Sequence, residues 1–325
     1  MISTTVQEAI DRIEDWKGKD ITYSSVSGGI TNPNYKVTVN DEEFFLKIPG
    51  AGTSFIDRNN CHLANMLAGN SNTGPKVMYY FNDTGVEVFQ WLTGYRQFTF
   101  GDIYDEATFY QIFQKLSAFH NVTDGILPAT DSLIDQAWAM NKLAKQAGYI
   151  PPWNDRMEYL LKVIEEALQH DSITFKPCHN DFWSNNMMYN DQTHDLKIID
   201  FEYASMNDPY ADLGTISTIN YFTEDMDVAM IKAYTGKEYD ALAFARMKLY
   251  KIVSDIKWGY WALHQYASSD VDYDYMNWYG IKIARLQHLW QDPRLDFWLN
   301  TLNRKSIFRP QLNKSCNLKE ERSYE

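Results

Sequence analysis

A chain of 325 residues with a formal net charge of −13 is long enough for one large or two medium domains, and it carries the wrong sign to hold nucleic-acid phosphates. Its three cysteines, Cys61, Cys178 and Cys316, are odd in number, far apart and without a C-x-x-C pair, which excludes a disulfide scaffold and leads us to expect reduced thiols in a cytoplasmic protein. No apolar run approaches a membrane span, and residues 1–20 carry Glu8, Asp11 and Glu14 where a secretion signal would be apolar, so neither membrane insertion nor a leader is expected.

Residues 4–17 set Val6, Ile10, Ile13 and Trp16 at helical spacing behind Ser3, Thr4 or Thr5 as N-cap, and predict a packing helix. Strands are predicted over 21–26 and 35–39, around Ser27-Gly28-Gly29-Ile30-Thr31-Asn32-Pro33-Asn34. Two glycines followed by small polar residues let backbone N–H groups approach a phosphate, although the same pattern also makes hairpin turns. The next strand, 44–48, sets Lys47 in an apolar run, where its charge needs a partner that nucleotide phosphates would supply. A helix over 55–69 follows, then a hairpin of 77–81 and 85–89 closed by Asn82-Asp83-Thr84-Gly85. Strand-like patterning stops near residue 92 and helical spacing takes over, which divides the chain into lobes 1–92 and 93–303 and a polar tail, 304–325.

In the second lobe, 105–120 carries Phe109, Ile112, Phe113, Leu116 and Phe119 on one helical face, with His120 read as a capping or packing histidine. Amphipathic helices are predicted over 132–147 and 155–168, and later over 247–267 and 273–289. The most informative stretch is 177–212. There His179-Asn180-Asp181 is followed by Asn186, and the apolar run 196–199 delivers Asp200-Phe201-Glu202 at a strand end. Phosphotransfer asks for such a set: a carboxylate (Asp181) near the attacking hydroxyl, with an amide oxygen (Asn186) and a second carboxylate (Asp200) to hold Mg²⁺ against ATP.

This stretch, with Ile199-Asp200-Phe201-Glu202-Tyr203-Ala204-Ser205-Met206-Asn207-Asp208-Pro209 and the distal Trp258-Gly259-Tyr260-Trp261, resembles the choline/ethanolamine kinase family over about residues 27–285. The resemblance implies an α+β, two-lobed protein-kinase-like fold, with a small antiparallel-sheet N-lobe over ATP and a larger, mostly helical C-lobe. It implies ATP and Mg²⁺ as cofactors and choline or a related amino alcohol as the small-molecule partner. Catalysis would fall to Asp181, Asn186 and Asp200, the last two also holding the metal. ATP would meet Ser27, Gly28, Gly29, Thr31, Asn32, Asn34 and Lys47, together with Gln90 and Leu92 in the segment joining the lobes. Asp212 would brace the catalytic loop through backbone amides. A trimethylammonium group has no N–H donor and is held by ring faces and negative charge, a task the resemblance gives to Tyr203, Trp258, Trp261 and Trp278, with Asp181 and Glu202 as neighbours.

Two positions depart from the family pattern. Cys61 stands where relatives carry a helix glutamate that pairs with the strand lysine, so either Asp57 takes over that pairing or Lys47 is held less firmly. Ile219 stands where many relatives place a glutamate beside the cationic head, which leaves Glu202, Glu224 or Asp225 to neutralise it and keeps ethanolamine, thiamine and other alcohols open as acceptors. A binding or regulatory protein weakened in catalysis is the reading from outside the enzymes.

Overall fold

The computed structural model describes residues 5–26, 32–50, 53, 56–123, 125–171, 173–269 and 273–303. Helix α1 (Val6–Asp11) starts at Thr5, whose hydroxyl accepts the Glu8 amide while the Glu8 carboxylate accepts the Thr5 amide, a reciprocal cap. The single helix predicted over 4–17 is divided. Ile13 takes an extended conformation and a 3₁₀ turn, Glu14–Trp16, follows, which brings Ile10, Ile13 and Trp16 together against one sheet face.

That sheet comprises β1 (Ile21–Ser25), β2 (Asn34–Val39) and β3 (Glu42–Lys47), then, after helix α2 (Arg58–Asn70), β4 (Val77–Phe81) and β5 (Val86–Gln90). Its order is β1-β2-β3-β5-β4, antiparallel throughout. Phe44 and Leu46 face the core with α1, so by strand alternation Phe45 and Lys47 face the other way, toward the second lobe. The tight turn between β4 and β5 holds Gly85 at φ 72°, a backbone region where a side chain is strained.

Beyond the connection at residues 91–95 come β6 (Arg96–Gln97), α3 (Glu106–His120), α4 (Leu133–Gln146) and α5 (Asn154–His170). Next are β7 (Lys176–Cys178), β8 (Met187–Tyr189), β9 (Leu196–Ile198) and β10 (Ser205–Asn207), which form two small antiparallel sheets, β6-β8-β9 and β7-β10. The chain continues through α6 (Tyr210–Ile219), α7 (Glu224–Thr235), α8 (Ala241–Ser268), α9 (Tyr275–Trp290) and α10 (Leu295–Asn303). Helix α8 begins six positions before the predicted 247, where Asp240 caps the amides of Leu242 and Ala243. It is buried on all sides from Ala243 to Leu263 and is the axis of the lobe. Gly214 allows α6 to lie directly on it: a Cβ there would stand 2.7 Å from the Tyr250 Cβ and 2.8 Å from the Tyr250 carbonyl carbon. No helix among the described residues is long and apolar enough to cross a membrane. The predicted tail, 304–325, and the segment 270–272 lie outside the described residues.

Candidate active site

The site is built on the loop between β7 and β8. Asp212, in the first turn of α6, accepts the amides of His179 (2.7 Å) and Asn180 (2.6 Å), one on each carboxylate oxygen, as expected of the brace. Behind it His120 contacts Asp212 through Nε2 (3.0 Å) and the Tyr234 hydroxyl through Nδ1 (2.8 Å), so the predicted packing histidine supports the brace. Asp212 is wholly buried; burial pushes its carboxyl up, and the His120 contact with the amide bonds outweighs that and keeps it low and ionised.

His179 is held neutral by burial. Its Nε2 meets the Ile199 carbonyl at 2.9 Å and its Nδ1 accepts the Asp181 amide at 3.3 Å, which defines the tautomer with the proton on Nε2. Asn180 sits at φ 61°, a left-handed conformation sustained by bonds from its side-chain amide to the Tyr203 carbonyl (2.9 Å) and the Ser205 hydroxyl (2.7 Å). Asn186 donates to the Asp181 backbone carbonyl (2.9 Å) and to Asp181 Oδ2 (3.1 Å), leaving its own amide oxygen for another partner. Burial pushes the Asp181 carboxyl up, opposed by the Lys257 ammonium and reinforced by Asp200. Lys257, itself pulled down by burial, donates to the Asn180 carbonyl at 3.0 Å.

From the other lobe Lys47 reaches Asp200 Oδ1 at 2.8 Å and Glu202 Oε1 at 3.0 Å. Burial works against its charge, but the two carboxylates prevail and hold its pKa above the ordinary lysine value. Glu202 is also met by Arg58 (2.6 Å) and Asn32 (2.8 Å). The lysine's carboxylate partner is therefore Glu202, with Asp200. Asp57, one of the two alternatives read from the sequence, instead caps α2 by accepting the amides of Asn59 (3.0 Å) and Asn60 (3.1 Å). The Cys61 thiol is pushed up to about 12 by burial, stays protonated and donates to the Glu202 carbonyl at 3.4 Å. Glu202 itself is enclosed by two cations and an amide, so the neutralising charge expected of it at the cationic head goes to Lys47 and Arg58 instead.

One cleft gathers Asn32, Asn34, Lys47, Asp181, Asn186, Asp200 and Glu202 with Tyr203, Ile219, Trp258, Trp261 and Trp278. Trp183, Asn185 and Tyr273 line it too, unnoticed in the sequence. The rings meet edge to face: Tyr203 with Trp258 (5.4 Å between centroids), Trp258 with Trp261 (5.6 Å) and Trp183 with Trp278 (5.8 Å). Arg58, Lys257 and Lys282 also escaped sequence reading, although a lysine inside an apolar helical run, as at Lys257, is a signal that could have found one of them. Of the expected nucleotide contacts, Ser27, Gly28, Gly29 and Thr31 lie outside the described residues. Gln90 and Leu92 are not among the lining residues; the Gln90 amide is committed to the Lys76 carbonyl (2.9 Å) and the Leu92 carbonyl to the Tyr95 amide (3.1 Å).

A family model described as choline/ethanolamine kinase matches residues 23–226. The chain is 24% identical over 249 residues to the protein LicA of Haemophilus influenzae, covering 74% of this chain and 72% of that one. It is 26% identical over 326 residues to a probable ethanolamine kinase of Arabidopsis thaliana, covering 87% and 84%. The fold is similar to the crystal structure of a choline/ethanolamine kinase family protein from Mesorhizobium loti, with a TM-score of 0.78 at 22% identity over 91% of this chain and 97% of the other.

Proposed function

The chain belongs to the choline/ethanolamine kinase family, and on that premise we propose that it transfers the γ-phosphoryl group of ATP to the hydroxyl of choline or a closely related amino alcohol. In this reading residues 1–92 cover the nucleotide and 93–303 bind the acceptor. What carries it is the single cleft that brings Lys47 from the first lobe to Asp181, Asn186 and Asp200 of the second, with the aromatic cluster beside them.

Asp181 receives the acceptor hydroxyl, orients its oxygen toward the γ-phosphorus and takes its proton as the bond to ADP breaks. Its raised pKa makes it a better base than an exposed aspartate while keeping it ionisable near neutrality. The Asn186 side chain fixes the Asp181 carboxylate through one oxygen and leaves the other free. On ATP binding the phosphates would replace Asp200 as a partner of Lys47, while Glu202, itself held by Arg58, would keep the lysine in place. The Asn186 amide oxygen and the Asp200 carboxylate are hard oxygen donors of the kind Mg²⁺ accepts, and the ion would supply charge neutralisation for the phosphates. Tyr203, Trp258, Trp261 and Trp278 supply ring faces for the ammonium end. Free, buried Cys61 and Cys178 support the cytoplasmic setting that belongs to this reading.

ADP release from Mg-ATP with choline and ethanolamine tests the proposal. Asp181→Ala is expected to abolish release in a protein that still unfolds cooperatively, and near-wild-type turnover by that variant would overturn the role given to Asp181.

A further inference from the structure

The loop that carries Asp181 brings an aromatic ring of its own to the cleft. Phe182 is wholly buried, with its ring centroid 6.0 Å from that of His179, and anchors the loop in the core of the second lobe. Trp183, the next residue, is extended (φ −152°, ψ 171°), and its carbonyl accepts the Asn186 amide at 3.0 Å to close the 3₁₀ turn Ser184–Asn186. The Trp183 side chain is half-buried, lines the cleft and stands edge to face with Trp278 of α9.

The rings of the cleft differ in what already faces them. Lys257 Nζ lies 4.1 Å from the centroid of the Trp258 ring and 4.7 Å from that of Tyr203, and Lys282 Nζ lies 3.9 Å from that of Trp278. Both lysines are wholly buried and neither lines the cleft, so each meets its ring from within the protein. A cation placed against these rings shares their electron density with a lysine. Among the described residues no lysine or arginine lies over the rings of Trp183 and Trp261, and Trp261, at 9% exposure, is the more buried of the two. Trp183 also follows Asp181 by two residues, which puts their Cα atoms no more than about 7 Å apart. In choline or ethanolamine only two carbons separate the nitrogen from the hydroxyl, so a hydroxyl at Asp181 leaves the ammonium end within reach of this ring.

We propose that Trp183 is a specificity-determining residue of the acceptor subsite, a ring carried by the same loop as Asp181 that binds the cationic head of the amino alcohol. The inference rests on the kinase reading above and adds a residue to its acceptor site. Such a ring selects for charge at the head, because an uncharged group of the same shape gains only buried area from it. Trp278, edge to face with Trp183, holds the ring in position.

Choline and 3,3-dimethylbutan-1-ol share a shape and differ in charge, as do ethanolamine and propan-1-ol. ADP release from Mg-ATP by the full-length protein gives kcat/KM for each alcohol, and the ratio within a pair isolates the contribution of charge. For the better of the two cations, Trp183→Leu is expected to lower that ratio about tenfold, the scale of one largely desolvated cation–π contact, and to leave KM for ATP within about twofold. Trp183→Met, also apolar and without a ring, is measured alongside and should behave as Trp183→Leu does, so the test survives the failure of either variant to fold. Trp183→Phe, which keeps a ring, should hold the ratio within about threefold of the parent. A ratio that stays within about twofold in the ringless variants, with both members of the pair falling together, makes Trp183 a packing residue and overturns the inference, as does an equal fall in Trp183→Leu and Trp183→Phe. ADP release that keeps its preference for charge in Trp183→Leu sinks this inference alone, whereas no release by the parent with either cation sinks the kinase reading itself.

Discussion

Lys47 and Glu202, from opposite lobes, meet at 3.0 Å, and Arg58 closes on the same carboxylate at 2.6 Å, so the charge that holds the strand lysine comes from the segment following Asp200 and not from α2. Burial pushes the Glu202 carboxyl up, and the two cations more than reverse that and keep it ionised.

From this follows a contrast between two substitutions. Cys61→Ala removes a protonated thiol and should leave kcat/KM for ATP within about twofold, a change too small to reflect a lost ion pair. Glu202→Gln leaves Lys47 and Arg58 buried without their shared anion, and should cost about 3 kcal/mol of stability and at least tenfold in kcat/KM for ATP. Urea unfolding and steady-state kinetics on the two variants decide the point. Equal losses would return the pairing role to α2.

In the proposed reaction Asp212 would act at one remove from the chemistry. Replacing it with asparagine offers an N–H where one of two backbone amides now finds an oxygen, so the loop carrying Asp181 loses a bond and its alignment. A fall of about 100-fold in kcat is expected, with KM for the acceptor little changed, because a misplacement of about 1 Å near a reacting group costs that much. A loss confined to KM would place the effect in binding.

The pH dependence carries a definite sign. Asp181 must be ionised to accept a proton, and its pKa is pushed up to about 7, so kcat/KM for the acceptor should rise with pH along an acid limb well above the ordinary carboxylate range. A carboxyl raised in the fold costs stability once it ionises: the stability held below its unfolded pKa is lost as pH climbs through the folded one. Asp181→Asn should therefore be inactive and yet melt higher than the parent at pH 8. A lower melting temperature at that pH would show that burial does not govern this carboxyl.

Gly214→Ala tests the close approach of α6 to α8. The added methyl meets Tyr250 backbone and Cβ below 3.0 Å, where neither can retreat easily, and about 2 kcal/mol of destabilisation is expected in denaturant unfolding. Because the shift moves Asp212, activity should fall with it.

The helical face of 105–120 shows how a periodic element is legible in sequence: Phe109, Ile112, Phe113, Leu116 and Phe119 recur at helical spacing and all are buried in α3. The hairpin of β4 and β5 was readable from its turn residues, and Lys47 from a charge in an apolar strand. Helix α6 gives no such signal, because Ala211 to Thr218 are buried on every side and no polar face alternates with an apolar one. Helices α7 and α10 also lie outside the predicted elements, and α8 starts ahead of the predicted 247 within a run of buried residues that has no polar gap to mark its start.

Sequence alone singled out the groups proposed to do the chemistry: Asp181, Asn186 and Asp200 stand at spacings that one loop and the next strand end can bring to a point, and spacing along a chain is a local property. Which partner each charge takes was decided only by tertiary structure. Glu202 rather than Asp57 answers Lys47, His120 backs Asp212 from α3, and Lys282 is left behind Trp278 with no acceptor, all through approaches between segments remote in the chain. Electrostatic pairing depends on distance and burial in space, and a linear sequence records neither.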